Sequence, residues 1–148
     1  NFCSELHLYG DYTKNINTPI DKNLFTEFKI YNIFMHGKLD QMQLFKEMSS
    51  QSVFVMPSNS EGLSKATLEA GAQGLSIIAK DAPGVRDAVF HGKNGYIYKN
   101  SLSTIMEGMI KDKHKTFELR KYSPLHIRKH FSLDVIAAQY IAIIEKAS

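Results

Sequence analysis

Ser52-Val53-Phe54-Val55-Met56-Pro57-Ser58-Asn59-Ser60-Glu61-Gly62-Leu63-Ser64-Lys65-Ala66-Thr67-Leu68-Glu69-Ala70 is the stretch on which the reading of this chain turns. Ser52 to Met56 is a short apolar run of the kind that forms a buried strand. Pro57 to Leu63 is rich in Ser, Asn and Gly and reads as a loop, and Ala66 to Gln73 reads as a helix. A strand, a polar loop and a helix N-terminus in that order suit anion binding. The first N–H groups of a helix lack an internal partner and sit at the positive end of its macrodipole. Two carboxylates flank the turn, Glu61 before the helix and Glu69 within it.

Downstream, Gly74 is placed to end that helix as a C-cap, and Leu75 to Ala79 reads as the next strand. Asp81 to Gly84 is a turn, Val85 to Phe90 a short helix, and His91 to Gly95 a tight turn in which Asn94 is expected at positive φ. Tyr96 to Tyr98 is a short strand. Ser103 to Asp112 and Lys115 to Tyr122 read as helices, and Pro124 is expected to end the second of them. Ser132 to Lys146 is a final helix, with Val135, Ile136, Ala138, Tyr140, Ile143 and Ile144 available for packing. Upstream, Leu6 to Gly10 reads as a strand, Asp11 to Thr18 as polar loop, and Pro19 to Lys29 as a helix. Ile33 to Met35 before His36-Gly37 is another strand. Leu39 to Met48 reads as a helix with Leu39, Met42, Leu44, Phe45 and Met48 as its core positions. Met and Phe residues on helices are read as core throughout. Strands alternating with helices predict a parallel sheet with helices on both faces, ligands lying beyond the carboxyl ends of the strands.

The 148 residues fit one domain, residues 1–148, and the net charge of +3 argues against nucleic acid as a partner. Cys3 is the single cysteine, which excludes an internal disulfide and leaves no Cys-based metal site. No apolar run reaches membrane-spanning length, and the N-terminus has no signal-peptide pattern. The first residue is not Met, and the chain is expected to be a segment of a longer protein. Lys111 to His130 is rich in Lys, Arg and His. It reads as a solvated helical face, with contact to an anionic membrane as the alternative.

Val53-Phe54-Val55-Met56-Pro57-Ser58, then Ser60-Glu61-Gly62-Leu63, then Leu68-Glu69-Ala70 resembles the donor-binding signature of retaining glycosyltransferases of the GT-B fold, family four. The likeness continues through Gly74 to Ala79, through Gly84, Asp87, Gly92, Asn94 and Gly95, and to Phe131-Ser132 at the start of the last helix, covering most of residues 5 to 147. Ser64, Ser76 and Asp87 depart from the residues usual at their positions, which leaves the nucleotide and sugar open. The resemblance implies the C-terminal, Rossmann-like half of a two-domain hexosyltransferase, inactive as the isolated half. It also implies a role in building cell-envelope polysaccharide. Glu61 would be the catalytic carboxylate, bonding hydroxyls of the transferred sugar. Free N–H groups near Gly62, Leu63 and Ser64 would hold the donor diphosphate, and Glu69 the ribose diol. Lys65, His36 and Gly10 are secondary candidates.

The implied partners are a nucleoside diphosphate sugar, the missing N-terminal domain, a glycan or lipid-linked acceptor and a membrane surface. The implied place is the cytoplasm, peripheral at the inner face of the membrane. No metal and no cofactor are expected. The rival readings are a glycogen or starch synthase-like relative, a non-catalytic nucleotide-binding Rossmann-like module and a sugar-phosphate isomerase related in fold. Gly10-Asp11-Tyr12-Thr13 lacks the glycine spacing of a dinucleotide binder.

The family's sheet order, 3-2-1-4-5-6, carries a further expectation. Matched by motif, the strands here are two to six, and strand one, which lies between the strands at Leu6 and Ser52, is absent. Either residues before Asn1 supply it, the favoured outcome, or those two strands close up and pair.

Overall fold

A computed structural model describes residues 4–10 and 31–147. The loop expected at Asp11 to Thr18, the helix expected at Pro19 to Lys29 and Cys3 lie outside the described residues. The chain divides into two compact units, Asn1–Glu47 and Met48–Ser148.

In the first unit β1 (Leu6–Tyr9) and β2 (Ile33–Gly37) pair in parallel, Leu6 opposite Ile33 and Leu8 opposite Met35. His7, Tyr9, Phe34 and His36 share one face by the two-residue period of strands. Their rings stack there, His7 on Phe34 with centroids 5.3 Å apart and Tyr9 on His36 at 4.7 Å. Helix α1 (Gln41–Ser50) begins two residues later than expected because Asp40 caps it. The Gln43 amide donates to the Asp40 carboxylate at 2.8 Å, and the Gln43 side chain accepts from the Asp40 amide at 3.1 Å. That is a reciprocal capping box. Of the five core positions expected on this helix only Met48 is buried, and Met42 is 83% exposed.

The second unit holds β3 (Val53–Met56), α2 (Lys65–Ala72), β4 (Ser76–Lys80), β5 (Gly95–Tyr98), α3 (Leu102–Lys111), α4 (Lys113–Phe131) and α5 (Leu133–Ala147). Its parallel sheet has the order β3-β4-β5. β4 is central, and Ser76, Ile77, Ile78 and Ala79 are all fully buried, as an unbroken apolar strand covered on both faces requires. Ile77 and Ala79 pack on Ala82, Val85 and Val89, while Ile78 packs on Met109 and Leu119. The strands thus belong to two sheets, β1-β2 and β3-β4-β5. Among the described residues no ladder joins Leu6–Tyr9 to Val53–Met56.

Helix α4 corrects the sequence reading. It runs through Pro124, where a break was expected. A proline inside a helix forfeits one backbone hydrogen bond and crowds the preceding turn. Here Thr116, Leu119, Ser123 and Ile127 are buried along one stripe that spans the proline, so packing holds the helix on both sides of it. The close seat of α4 on α2 comes from Gly71, where a Cβ would stand 2.7 Å from Cγ1 of Ile127. Arg120 donates to the carbonyl of Gly74 at 3.1 Å, and Ser76 donates to that of Thr116 at 3.0 Å.

Asn94 is a second correction. The residues at positive φ in its turn region are Gly84 and Gly92, not Asn94. Asn94 is fully buried, and its side chain accepts from the Phe90 amide at 2.7 Å and donates to the Ala88 carbonyl at 3.0 Å. It is there as a buried staple rather than for its backbone. The short helix expected at Val85 to Phe90 is a three-residue 3-10 turn, Arg86–Ala88. α5 has no buried residue, and Tyr140, Ile143 and Ile144 are 66%, 65% and 63% exposed. Phe117, read as core, is 51% exposed. Among the described residues no helix is long and apolar enough to cross a membrane.

Near the end of α4, His126 lies against the rings of Phe90, Tyr122, His130 and Phe131, and its Nδ1 is buried with no hydrogen-bond partner among the described residues. Burial, then the neighbouring His130 and Lys129, pushes its pKa below the ordinary imidazole value. The folded state therefore holds His126 neutral where the unfolded chain protonates it. Its contribution to stability is full above about pH 6.5 and is lost as the pH falls through the lower folded value. Melting temperatures should accordingly decline on acidification from pH 7 to 5, and less so in His126→Phe. Equal slopes for the two proteins would contradict the assignment.

Candidate functional site

The carboxyl ends of β3 and β4 carry two loops, residues 57–64 and 81–85, that are built onto each other. The Glu61 amide donates to the Pro83 carbonyl at 3.3 Å, and the Ser64 amide to the Gly84 carbonyl at 3.4 Å. Lys80 reaches across from the end of β4 to bond the Asn59 side chain. Gly84, at φ +72°, lies flat against the other loop. A Cβ there would stand 2.0 Å from the Gly62 carbonyl oxygen and 2.1 Å from that of Glu61. The second loop is itself pinned, because Arg86 bonds Asp81 at 2.6 Å and Lys99 approaches the same carboxylate at 3.5 Å. The Arg86 hydrogen bond holds the Asp81 carboxyl below the usual carboxylate range.

Loop 57–64 enters α2 through Ser64, which is buried. Its hydroxyl oxygen accepts from the Thr67 amide at 3.4 Å and from the Thr67 hydroxyl at 3.0 Å. Ser64 is thus an N-cap whose side chain points inward, and its own amide is occupied by Gly84. Helix α2 therefore starts at Lys65, one residue before the expected Ala66. The amides of Gly62, Leu63, Lys65 and Ala66 find no acceptor among the described residues. They stand at the positive end of the helix, and Gly62 has open space where a Cβ would be.

Glu61 is exposed, and its carboxylate has no partner among the described residues. Glu69 is different, with its side chain only 19% exposed and Lys65 Nζ at 3.4 Å from its carboxylate. Lys65 itself is 79% exposed, and as a surface i,i+4 pair its bond to Glu69 is worth a few tenths of a kcal/mol, ~0.3–0.5.

The structure thus brings Glu61, Gly62, Leu63, Ser64, Lys65 and Glu69 together on one strand–loop–helix. His36 and Gly10 belong to the first unit. There His36 Nε2 lies 2.8 Å from His7 Nδ1, and His7 Nε2 lies 3.2 Å from Glu5. Tyr9 donates to Glu47 at 3.2 Å, and burial, then that carboxylate, raises the phenol's pKa. Gly10, at φ +143°, ends β1 and donates to the Gly37 carbonyl at 2.9 Å. Sequence reasoning placed a turn at Asp81 to Gly84 but not the bonds by which Lys80, Pro83 and Gly84 buttress loop 57–64. Their one visible signal was the Pro83-Gly84 pair two residues after the strand. Among the described residues no group of three or more His, Cys, Asp or Glu is placed to hold a metal ion.

The family described as Glycosyl transferases group 1 matches residues 14–124. The chain belongs to it. This glycosyl transferase chain is similar to an uncharacterized glycosyltransferase of Haemophilus influenzae, 37% identical over 62 residues, or 40% of this chain and 18% of that protein. It is also similar to the sulfoquinovosyl transferase SQD2 of Arabidopsis thaliana, 38% identical over 65 residues, or 42% of this chain and 13% of that one. The aligned parts thus span less than a fifth of those relatives. In structure it resembles Anabaena Alr3699/HepE in complex with UDP, with a TM-score of 0.80 at 19% identity, over 96% of this chain and 41% of that one. The same Anabaena protein is also seen with UDP-glucose, there at a TM-score of 0.76. The glycosyl transferase chain has, in its parallel sheets flanked by helices, the fold of GT-B domains.

Proposed function

We propose that this chain is the donor-binding, C-terminal half of a retaining hexosyltransferase of GT-B family four, a segment of a longer two-domain protein. One observation carries the reading. Unbonded amides at Gly62, Leu63, Lys65 and Ala66 stand between an open carboxylate, Glu61, and a largely covered one, Glu69, on a loop locked by its neighbour. A nucleoside diphosphate sugar fits that order of groups. The diphosphate takes the amides and the positive helix end. An ionised carboxylate accepts hydrogen bonds and has no proton to give, so each glutamate suits a pair of hydroxyls. Glu69 holds the ribose, and Glu61 holds the transferred sugar. The uridine complexes of the Anabaena protein support a UDP-linked donor.

Catalysis in this half amounts to positioning the donor and neutralising charge on the departing diphosphate. Ser64 contributes through the cap, while Lys65 is the cation nearest the free amides along the chain. The acceptor, a glycan or a lipid-linked sugar, belongs to the N-terminal domain, so this half alone transfers nothing. The setting is the cytoplasm, at the inner face of the membrane, in assembly of cell-envelope polysaccharide.

The division of roles has a direct test in calorimetric titration. Glu69→Ala should weaken both UDP and UDP-glucose by about 1–3 kcal/mol, the cost of losing hydrogen bonds to a charged group. Glu61→Ala should leave UDP unaffected and weaken only UDP-glucose. Equal losses for both ligands in both variants would refute the assignment. No binding of UDP, GDP or ADP to the unaltered chain would refute the donor site itself and favour a module that binds no nucleotide.

A further inference from the structure

The candidate donor site makes no use of α4, whose composition is unlike that of the rest of the chain. Lys113, Lys115, Arg120, Lys121, Arg128 and Lys129 lie on it against one carboxylate, Glu118. These 19 residues are therefore +5, and since the whole chain is +3 the remaining residues together are −2. Arg120 turns inward to Gly74, and Lys121 pairs with Glu118 at 3.1 Å. Lys113, Lys115, Arg128 and Lys129 pair with no carboxylate among the described residues.

The outward face has a definite pattern. His114, Phe117, Lys121, Leu125 and Arg128 recur at steps of three and four, so they form one stripe, opposite the buried stripe of Thr116, Leu119, Ser123 and Ile127. From His114 to Arg128 the stripe is about 21 Å long. Phe117 is 51% and Leu125 65% exposed in it. Isolated exposed apolar residues are ordinary. These two lie in line, two turns apart, with Lys121 between them and Arg128 following Leu125.

We propose that this outward face of α4 docks on an anionic lipid surface. Phe117 and Leu125 enter the headgroup boundary, and Lys121 and Arg128 in the stripe, with Lys113 and Lys129 beside it, meet lipid phosphates. A solvated face gains nothing from Phe and Leu there. A nucleic acid finds the Phe117 ring face already covered by Lys121, whose Nζ is 4.7 Å from its centroid. This proposal is independent of the donor site and fails separately from it.

The test is co-sedimentation of the full chain with vesicles of phosphatidylcholine alone and with added phosphatidylglycerol. Binding is expected only to the second, and is expected to weaken as salt rises. The double variant Lys121→Glu, Arg128→Glu should lose about tenfold or more in partitioning. Phe117→Ser, Leu125→Ser, with every charge kept, should also lose most of it. Both variants should keep their melting temperature and UDP binding, since all four residues lie outside the packed stripe. Equal binding to both vesicle types would overturn the proposal. So would serine variants that bind like the unaltered chain, or heparin that displaces the chain from vesicles and binds the serine variants equally well, since these mark a plain polyanion site. Retention of the unaltered chain by an acidic protein, with none by vesicles, would overturn it as well.

Discussion

On the proposed donor-site reading, replacing Gly84 by alanine should disorder loop 57–64 and remove most of the affinity for UDP-glucose. Two costs combine. A residue with a side chain at φ +72° loses about 1–2 kcal/mol relative to glycine. The new Cβ would also stand 2.0 Å and 2.1 Å from the Gly62 and Glu61 carbonyl oxygens, backbone atoms that cannot turn aside. One loop must leave the other by more than an ångström, and displacements of that size at a reacting site cost about a hundredfold in rate. Because the amides of Gly62 and Leu63 ride on the displaced segment, binding of UDP should fall as well, by about tenfold or more. Gly92→Ala is the control, since Gly92 has φ +77° and nothing within 4 Å of where its Cβ would be. It incurs the backbone cost without the collision. If the two variants bound UDP-glucose alike, the buttress would have no role in the site.

Gly95→Ala should be strongly destabilising, and for a reason confined to the sheet. The Cβ would lie 2.0 Å from the Ile77 carbonyl oxygen, 2.8 Å from its carbon and 2.9 Å from its nitrogen. Ile77 pairs with Gly95 in the β4–β5 ladder and is fully buried, so neither strand can yield without losing pairing and core together. A loss of about 4 kcal/mol or more is expected, at the upper end for single substitutions. That corresponds to a fall of roughly 10 °C in melting temperature for a chain of this size. Gly108→Ala, on α3 with open space at its Cβ, should instead be neutral or stabilising by up to about 1 kcal/mol. A melting temperature for Gly95→Ala within a degree or two of the unaltered chain would contradict this reading of the ladder.

What the sequence showed and what it hid follow from the range of the interactions involved. β3, α2 and β4 were legible because a strand, a capped helix and a Gly-terminated helix end are fixed by residues a few positions apart. Ser64 and Gly74 mark the two ends of α2 as local capping rules require. Pro124 was misread because the compensation for its missing hydrogen bond comes from Ile127 meeting Gly71, a contact that local rules do not contain. Asn94 was read as a backbone residue because turn composition is a local statistic, whereas its two side-chain bonds and full burial are tertiary. The two glutamates of the candidate site were legible as a pair. The difference between them, Glu61 open and Glu69 largely covered, was not, since exposure depends on everything folded around them. Gly84 was seen as a turn residue, but its contact with the carbonyls of Glu61 and Gly62 bridges two loops separated by a helix and a strand.

The grip of α4 on α2 also has a bearing on the order in which this chain is completed as it is synthesised. Loop 57–64 acquires its partner, Pro83 and Gly84, some twenty residues after it emerges. The helix it feeds waits for Thr116 to meet Ser76, Arg120 to meet Gly74 and Ile127 to meet Gly71, at separations of about forty to sixty residues. Contacts of long sequence separation form late, because ordering the intervening chain must come first. A nascent chain that has reached Asp112 already carries every residue of the loop, its buttress and both glutamates. It still exposes the side of α2 and the end of β4 that α4 will cover, so these surfaces remain open to mispairing until the last basic helix is released.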